Sequence, residues 1–237
     1  DLPATFYEDL EMLYQNTVLA VEFARQQDAR ITDLRELCAA MIATELYSEA
    51  NEALLQTLCE NAVASIKATD KSYEIQSIYD QSCTKMYAVK ISHLTAGGME
   101  MISHGGLERS TRLSLIFLSD FASLSDAVND AIREGNLVYN GTATTYGGLA
   151  NALRTKYLVG AYGMHLYTRD ASGLDVIFDE FEGVYEFRLL LTDNLKGIEG
   201  LMVGYYNEKT GALELLDTTR EGNCLVFKAS RVEDFVI

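Results

Sequence analysis

The last sixty residues alternate apolar and polar side chains with a period of two, and compact turns separate the alternating runs. The runs cover 184–191, 194–206, 212–217, 224–228 and 235–237, with polar turns at 207–211 and 221–223. Successive side chains of a strand point to opposite faces of a sheet, so this pattern is typical of antiparallel strands joined by short turns. We therefore predict a β-sandwich over residues 159–237.

The residues before about position 160 have a different period, near 3.6 residues. The first apolar stripe consists of Phe6, Leu10, Leu13, Ala20 and Val21, with Thr17 in the same row. A break is predicted at 28–30, and further stripes follow over 34–42, 54–66 and 75–89. Such stripes predict successive antiparallel helices with one buried face each. We therefore predict an α-helical bundle over residues 1–158.

Two glycine pairs, Gly97-Gly98 and Gly105-Gly106, interrupt the helical pattern. We interpret the segment around them as irregular, with a short helix between the pairs. Further helices are predicted from near Leu107, over 121–134 and over 149–158. The predicted fold class is thus α+β in two parts: an N-terminal all-α bundle followed by a C-terminal antiparallel β-sandwich.

The charge balance excludes several classes of partner. The 237 residues include 19 basic and 35 acidic side chains, a formal net charge of −16. Nucleic-acid binding and polybasic membrane contacts both need clustered Lys and Arg, so neither partner is expected. The strongest apolar run, 113–118, is far shorter than the roughly 20 residues that span a bilayer. Direct membrane insertion by this segment is therefore not predicted.

The four cysteines are Cys38, Cys59, Cys83 and Cys224, and no two form a CxxC pair. Cys59 and Cys83 are about equally distant from a predicted turn near Asp70. In antiparallel helices this spacing brings the two thiols together, either as a disulfide or as adjacent core thiols. We favour the core thiols.

The histidines do not form a recognisable catalytic or metal-binding pattern. Only His104 has acids at helical spacing, Glu100 and Glu108, and the intervening Gly105-Gly106 would interrupt such a helix. For a Cys–His nucleophile, the one pairing to consider is Cys83 with His93 or His104. A core thiol and surface histidines account for these residues equally well. We therefore predict no catalytic residues, no metal ligands and no cofactor.

Two further features have structural and functional interpretations. The acidic residues Asp175, Asp179, Glu180 and Glu182 could supply oxygen ligands for Ca²⁺, but they lack the spacing of a calcium loop. We interpret them as a charged, solvated strand edge. Tyr205-Tyr206 must place its two rings on opposite faces of a strand, one in the core and one exposed.

Two regions resemble modules of Gram-positive surface proteins. Residues 61–78 and 124–153 each place a helix, a short Thr-containing cap and a second helix in sequence, similar to FIVAR-like three-helix repeats. The segments 182–188, 195–206, 211–217, 222–227 and 234–237 resemble the β-module that ends many secreted Firmicutes proteins. The resemblance implies an exported protein built mainly from structural modules, and no catalytic residue is carried over from it.

The expected function is that of a non-enzymatic extracellular or cell-surface protein: an adhesion or scaffold module, or a binding module for a protein or glycan. The alternative is a ligand-sensing ectodomain of a membrane receptor, with its pocket between bundle and sandwich. A third, less favoured alternative is an enzyme that uses Cys83 and a histidine. The chain opens at Asp1 without a methionine, so an export signal and an anchor are expected outside this segment.

Overall fold

The computed structural model describes residues 4–118, 122–139, 142–143, 158–178 and 180–237. Its residues form two compact units, Asp1–Ile91 and Ser92–Ile237. The described helices are α1 (Ala4–Ile42), α2 (Glu49–Ala68), α3 (Ser72–Tyr87) and α4 (Ala122–Glu134). An N-terminal helical region followed by antiparallel sheets confirms the two-part α+β class. None of the helices in the described residues is long and apolar enough to cross a membrane.

The first unit is a bundle of α1, α2 and α3. Its core consists of one stripe from each helix: Ile31, Leu34, Cys38 and Met41 of α1, Leu55, Cys59, Ala62, Val63 and Ile66 of α2, and Ile75 and Met86 of α3. Ser48 caps α2 by accepting a hydrogen bond from the Asn51 backbone N–H at 3.3 Å. The predicted break at 28–30 is wrong, because α1 is continuous there. That stretch contains neither Gly nor Pro, and its apolar spacing resumes in register.

The second unit contains thirteen strands among the described residues. They are β1 (Ile91–Ala96), β2 (Met99–Leu107), β3 (Arg112–Phe117), β4 (Leu137–Tyr139), β5 (Thr142–Ala143), β6 (Ala161–Arg169), β7 (Asp175–Phe178), β8 (Glu180–Leu190), β9 (Gly204–Asn207), β10 (Ala212–Leu215), β11 (Thr218–Glu221), β12 (Cys224–Arg231) and β13 (Phe235–Val236). The smaller sheet has the order β1-β2-β8-β12-β11. The larger has the order β3-β6-β13-β9-β10-β4-β5, with β7 paired to β6. All pairs with a described register are antiparallel except β10 with β4.

Residues 91–117 are the main correction to the sequence prediction, which placed helices there and a domain boundary at 158. They form β1, β2 and β3, so the helical bundle ends at Tyr87 and the division between units lies at 91/92. Gly97 and Gly98 have φ of +54° and +87° and close the β1–β2 hairpin. Two consecutive residues with positive φ are typical of a type I′ turn, which joins strands instead of helices. The predicted helix over 149–158 lies outside the described residues, apart from Leu158.

Aromatic rings hold the two sheets together. The rings of Phe187 and Phe227, both in the smaller sheet, stack with centroids 5.1 Å apart. Phe227 also contacts Phe235 of the larger sheet at 5.7 Å, and Phe235 stacks on Tyr162 at 5.0 Å. The three phenylalanines are at most 1% exposed. Large buried apolar side chains that interdigitate between sheets form the core of a β-sandwich.

A polar cluster around Arg231 joins the same two sheets beside the aromatic rings. The guanidinium of Arg231, at the end of β12, pairs with Glu214 of β10 at 2.5 Å and with Glu233 at 2.7 Å. It also lies over the ring of Tyr205, 5.0 Å from the centroid, and the Tyr205 hydroxyl donates to the Arg231 carbonyl. Tyr205 is 2% exposed, which confirms that one ring of the tyrosine pair is in the core. Tyr206 is half-buried on the opposite face.

Glu233 makes the stability of the sandwich depend on pH. Burial raises its pKa above the ordinary value of 4.5, and the nearby Arg231 only partly offsets this effect. The folded state therefore holds the Glu233 proton more tightly than the unfolded chain does. This contribution to stability is present below pH 4.5 and is lost as the pH rises through the folded-state pKa.

We predict that Glu233→Gln removes this pH dependence. Urea unfolding at a series of pH values gives the free energy of unfolding of each protein. The contribution of Glu233 at each pH is the value for the wild type minus that for the variant. This difference should fall as the pH rises from about 4 to about 7. Parallel pH profiles for the two proteins, or a difference that rises with pH, would contradict the assignment.

Candidate ligand-binding pocket

An apolar pocket of about 170 Å³ lies within the second unit, on the outer face of the larger sheet. Helix α4 forms one wall and β10 the opposite wall. Residues 158–159 and the C-terminal residues 236–237 complete the lining, and the loop that precedes β9, which includes the exposed Glu199 and Gly200, forms the mouth. The lining residues are Val128, Ile132, Leu158, Val159, Ile198, Glu199, Gly200, Leu201, Met202, Gly204, Leu213, Leu215, Val236 and Ile237.

Helix α4 covers the sheet because one of its faces is apolar. Val128 and Ala131 are 2% and 3% exposed, and they pack with Leu213 and Leu215 of β10. The other face of α4 carries charged residues, as expected for an amphipathic helix at a surface. The predicted helix over 121–134 is confirmed for its described residues.

The C-terminal end of α4 is tied to the β9–β10 hairpin. Gly135 has φ of +74°, and the Asn136 backbone N–H donates back to the Ala131 carbonyl at 2.9 Å, which ends the helix. The Asn136 side chain then donates to the Thr210 carbonyl, and the Asn136 carbonyl accepts from the Leu213 N–H. These bonds hold the helix end beside β10 and so set the width of the pocket.

The loop at the mouth is held by Arg220 of β11. Its guanidinium donates to the Ile198 carbonyl at 3.0 Å and to the Lys196 carbonyl, while its Nε donates to the Gly222 carbonyl at 3.1 Å. One arginine thus fixes two backbone positions of the loop. Because the donors are charged, these bonds are stronger than those between neutral groups.

Gly204 leaves room at the floor of the pocket. A Cβ built there would lie 3.1 Å from both the Glu214 carbonyl oxygen and the Leu213 Cδ1 atom. A larger residue would therefore have to displace the β9–β10 ladder or one wall of the pocket. The glycine allows the two strands and the leucine side chain to approach each other closely.

The chemistry of the pocket is that of an aliphatic binding site. Among the described lining residues, Glu199 is the one with an ionisable side chain, and it is exposed at the mouth. The walls and base are Val, Leu and Ile. Such a surface binds an apolar group through the hydrophobic effect and dispersion, and the loop backbone at the mouth can orient it by hydrogen bonding.

The structure pairs the cysteines differently from the sequence prediction. All four are free thiols. Cys59 of α2 lies beside Cys38 of α1 and donates to the Leu34 carbonyl at 3.6 Å. Cys83 is only half-buried, so the prediction of two core thiols is wrong for Cys83. Cys83 instead interacts with Tyr79 on its own helix, four residues earlier. Cys59 packs toward α1 because that face carries the buried stripe of α2.

The buried thiols should be slow to react. Burial raises the pKa of Cys38 to about 11, and burial also raises the pKa of Cys59. At pH 8 the thiolate fraction of Cys38 is then on the order of 100-fold below that of an ordinary cysteine.

We predict that Ellman's reagent labels the half-buried Cys83 and Cys224 in a fast phase and the buried Cys38 and Cys59 in a slow phase. A single fast phase for all four in the folded protein would contradict this, and urea should abolish the difference.

All three histidines lie on strands, so His104 does not share a helix with Glu100 and Glu108. His93 lies on β1, His104 is exposed on β2, and His165 lies on β6. Glu100, considered as a partner of His104, approaches Arg188 at 3.8 Å. Cys83 belongs to the first unit and both of its candidate histidines to the second. The described residues contain no group of three or more His, Cys, Asp or Glu that could hold a metal ion.

The acidic string is described only in part. Asp175 opens β7, the strand that pairs with β6 alone, and forms an exposed ion pair with Arg169 at 3.2 Å. This fits a charged strand edge. Asp179 and the side chains of Glu180 and Glu182 lie outside the described residues.

We predict that Arg220→Ala loosens the mouth of the pocket without unfolding the sandwich. The Ile198 amide, which donates to the Leu195 carbonyl within the loop, should exchange with solvent about ten-fold faster. Hydrogen exchange followed by NMR measures this rate. The matched control is Arg169→Ala, which removes an exposed arginine from the β6–β7 edge and should leave the Ile198 rate unchanged. Equal rates in the two variants would show that Arg220 does not position the loop.

Comparison with known proteins produced no match to a family model, to a curated protein or to a solved structure.

Proposed function

We propose that the chain is a non-enzymatic binding module of a secreted or cell-surface protein and that the pocket of its second unit receives an apolar side chain of a protein partner. The observation that carries the proposal is the aliphatic pocket between α4, β10 and the loop at 198–202. The extracytoplasmic part of the proposal rests on the resemblance of the C-terminal segments to modules of secreted Firmicutes proteins.

The size of the pocket favours a single side chain over a larger ligand. Pockets for drug-sized molecules usually measure about 300–1,000 Å³. A volume of about 170 Å³ is below that range and is close to that of an engineered cavity of about 150 Å³ that binds benzene. Protein interfaces commonly concentrate their binding energy in such pockets, which one aromatic or aliphatic anchor fills.

The lining favours a protein partner over a glycan. Sugar hydroxyls need several hydrogen-bonding side chains, and glycan sites commonly add an aromatic ring. The described lining residues include no aromatic side chain, and their one charged side chain, Glu199, lies at the mouth. An aliphatic or aromatic side chain needs no hydrogen-bonding partner in the pocket, and burial of its apolar surface stabilises the complex.

The second candidate is a ligand-sensing ectodomain. The same pocket favours it, since a concave apolar site can enclose a small hydrophobic molecule. In that case a free small molecule should bind more tightly than the same group presented on a peptide backbone.

We predict that amino-acid amides with apolar side chains bind in the pocket. In an NMR titration, N-acetyl-leucinamide and N-acetyl-phenylalaninamide should produce saturable shifts at Val128, Leu213 and the loop at 198–202. N-acetyl-serinamide and N-acetylglucosamine serve as polar and glycan probes and should produce none. Toluene tests the second candidate, which predicts tighter binding of toluene than of the phenylalanine derivative.

A variant with a filled mouth supplies the control. Leu201→Trp places a bulky ring at the half-buried rim and should abolish the shifts. Val176→Trp introduces the same ring at a 49% exposed position on β7 and should leave them intact. The proposal fails if the apolar amides do not saturate, or if both tryptophan variants behave alike.

A further inference from the structure

Helix α1 extends well past the other two helices of its bundle. It has 39 residues, whereas α2 has 20 and α3 has 16. The turn between α2 and α3 meets α1 at Gln26 and Gln27. Gln27 donates to the carbonyls of Ile66 and Thr69, and Gln26 accepts from the Ser72 hydroxyl. Residues 4–25 therefore extend past the α2–α3 turn as a helical arm about 33 Å long.

A single seven-residue repeat runs through both halves of α1. Its a and d positions, spaced alternately by four and three residues, are Phe6, Leu10, Leu13, Thr17, Ala20, Ala24, Gln27, Ile31, Leu34, Cys38 and Met41. In the bundle half, the last four of these are at most 6% exposed against the neighbouring helices. In the arm, Phe6, Leu10 and Leu13 are 45%, 53% and 64% exposed. The row that packs the bundle core thus continues uncovered along the arm.

We propose that a second copy of this chain covers the arm, so that two α1 helices form a coiled coil over residues 6–24. A seven-residue apolar repeat is the pattern of helices that supercoil around one another, with a and d side chains packed between them. The row is continuous with an established helix-packing interface of the same helix. Tyr7, Tyr14 and Val21, one position after each d residue, widen the apolar face.

The charges of the arm argue against an anionic lipid surface as its partner. Its acidic residues are Glu8, Asp9, Glu11 and Glu22, and its one basic residue is Arg25, at the end next to the bundle. Helices that lie on membranes usually carry Lys and Arg on their polar face, and anionic lipids would repel this one. Three of the four acids lie at outer b and f positions, where two facing helices keep them apart.

The interface is large enough to hold two chains. Each helix is about 11 Å across and the paired length is about 30 Å. If each helix buries half of its circumference over that length, the two helices together bury roughly 1,000 Å². This is near the lower limit for a specific interface. The isolated arm, in contrast, would be marginal as a helix in water, because its stability would come only from its own backbone bonds.

Light scattering during gel filtration tests the proposal on the full 237-residue chain under reducing conditions. The wild type at about 100 μM should have twice the chain mass of 26.3 kDa. The seam variant Leu10→Glu/Leu13→Glu should have half the wild-type mass and, by circular dichroism, less helix. The control Met12→Glu/Leu19→Glu adds the same two charges at positions 59% and 62% exposed but outside the a and d row, and it should remain dimeric.

Several outcomes would overturn the proposal. They are a monomeric wild type at this concentration, a dimer that survives the seam substitutions, and a dimer that the control disrupts equally. A three-chain or larger assembly would exclude the two-stranded form. Co-sedimentation of a monomeric wild type with phosphatidylcholine vesicles, lost in the seam variant, would assign the face to lipid instead.

Discussion

Burial of strands β9, β10 and β13 of the larger sheet on both faces is the constraint on which the second unit depends. Tyr205 and Phe235 point toward the smaller sheet, where the aromatic rings and Arg231 join the two layers. Leu213, Leu215 and Val236 point the other way and pack against α4. A sheet with one solvated face would need no helix over it. Helix α4 forms a third layer because these strands carry apolar side chains on both faces. The pocket is the space that α4 leaves unfilled over the sheet.

The C-terminal strands and the helices α2 and α3 could be predicted because their signals are local. An alternation of apolar and polar residues, a short polar turn and a buried stripe each act over fewer than twenty residues. The segment 91–117 is harder to predict, because a glycine pair can interrupt a helix or close a β-hairpin. Met99, Met101 and Ser103 are buried while Glu100 and Ile102 are only half-buried, so the period of two was present in β2. The Gly97-Gly98 pair is the feature of the sequence that most clearly favours a β-hairpin over a helix in this segment.

The pocket could not be predicted, because five segments distant in sequence build it. Helix α4 was predicted correctly, but nothing in its sequence says that it lies over β10. The bonds of Asn136 to the β9–β10 hairpin and of Arg220 to the loop carbonyls are specific side-chain contacts that no periodicity encodes. The Cys38–Cys59 contact was missed for a similar reason. Which two helices bring their thiols together depends on how the helices pack in three dimensions. The distance of Cys59 and Cys83 from a turn does not determine that packing.

The proposed binding function depends on an apolar pocket that stays open and dry between α4 and the larger sheet. Crystals of the protein pressurised with xenon test this most directly, because xenon enters apolar cavities and is visible by its strong scattering. We predict a xenon site bounded by Val128, Leu213 and Val236. Ordered water in that space, or side chains that have collapsed to fill it, would contradict the assignment of a binding pocket.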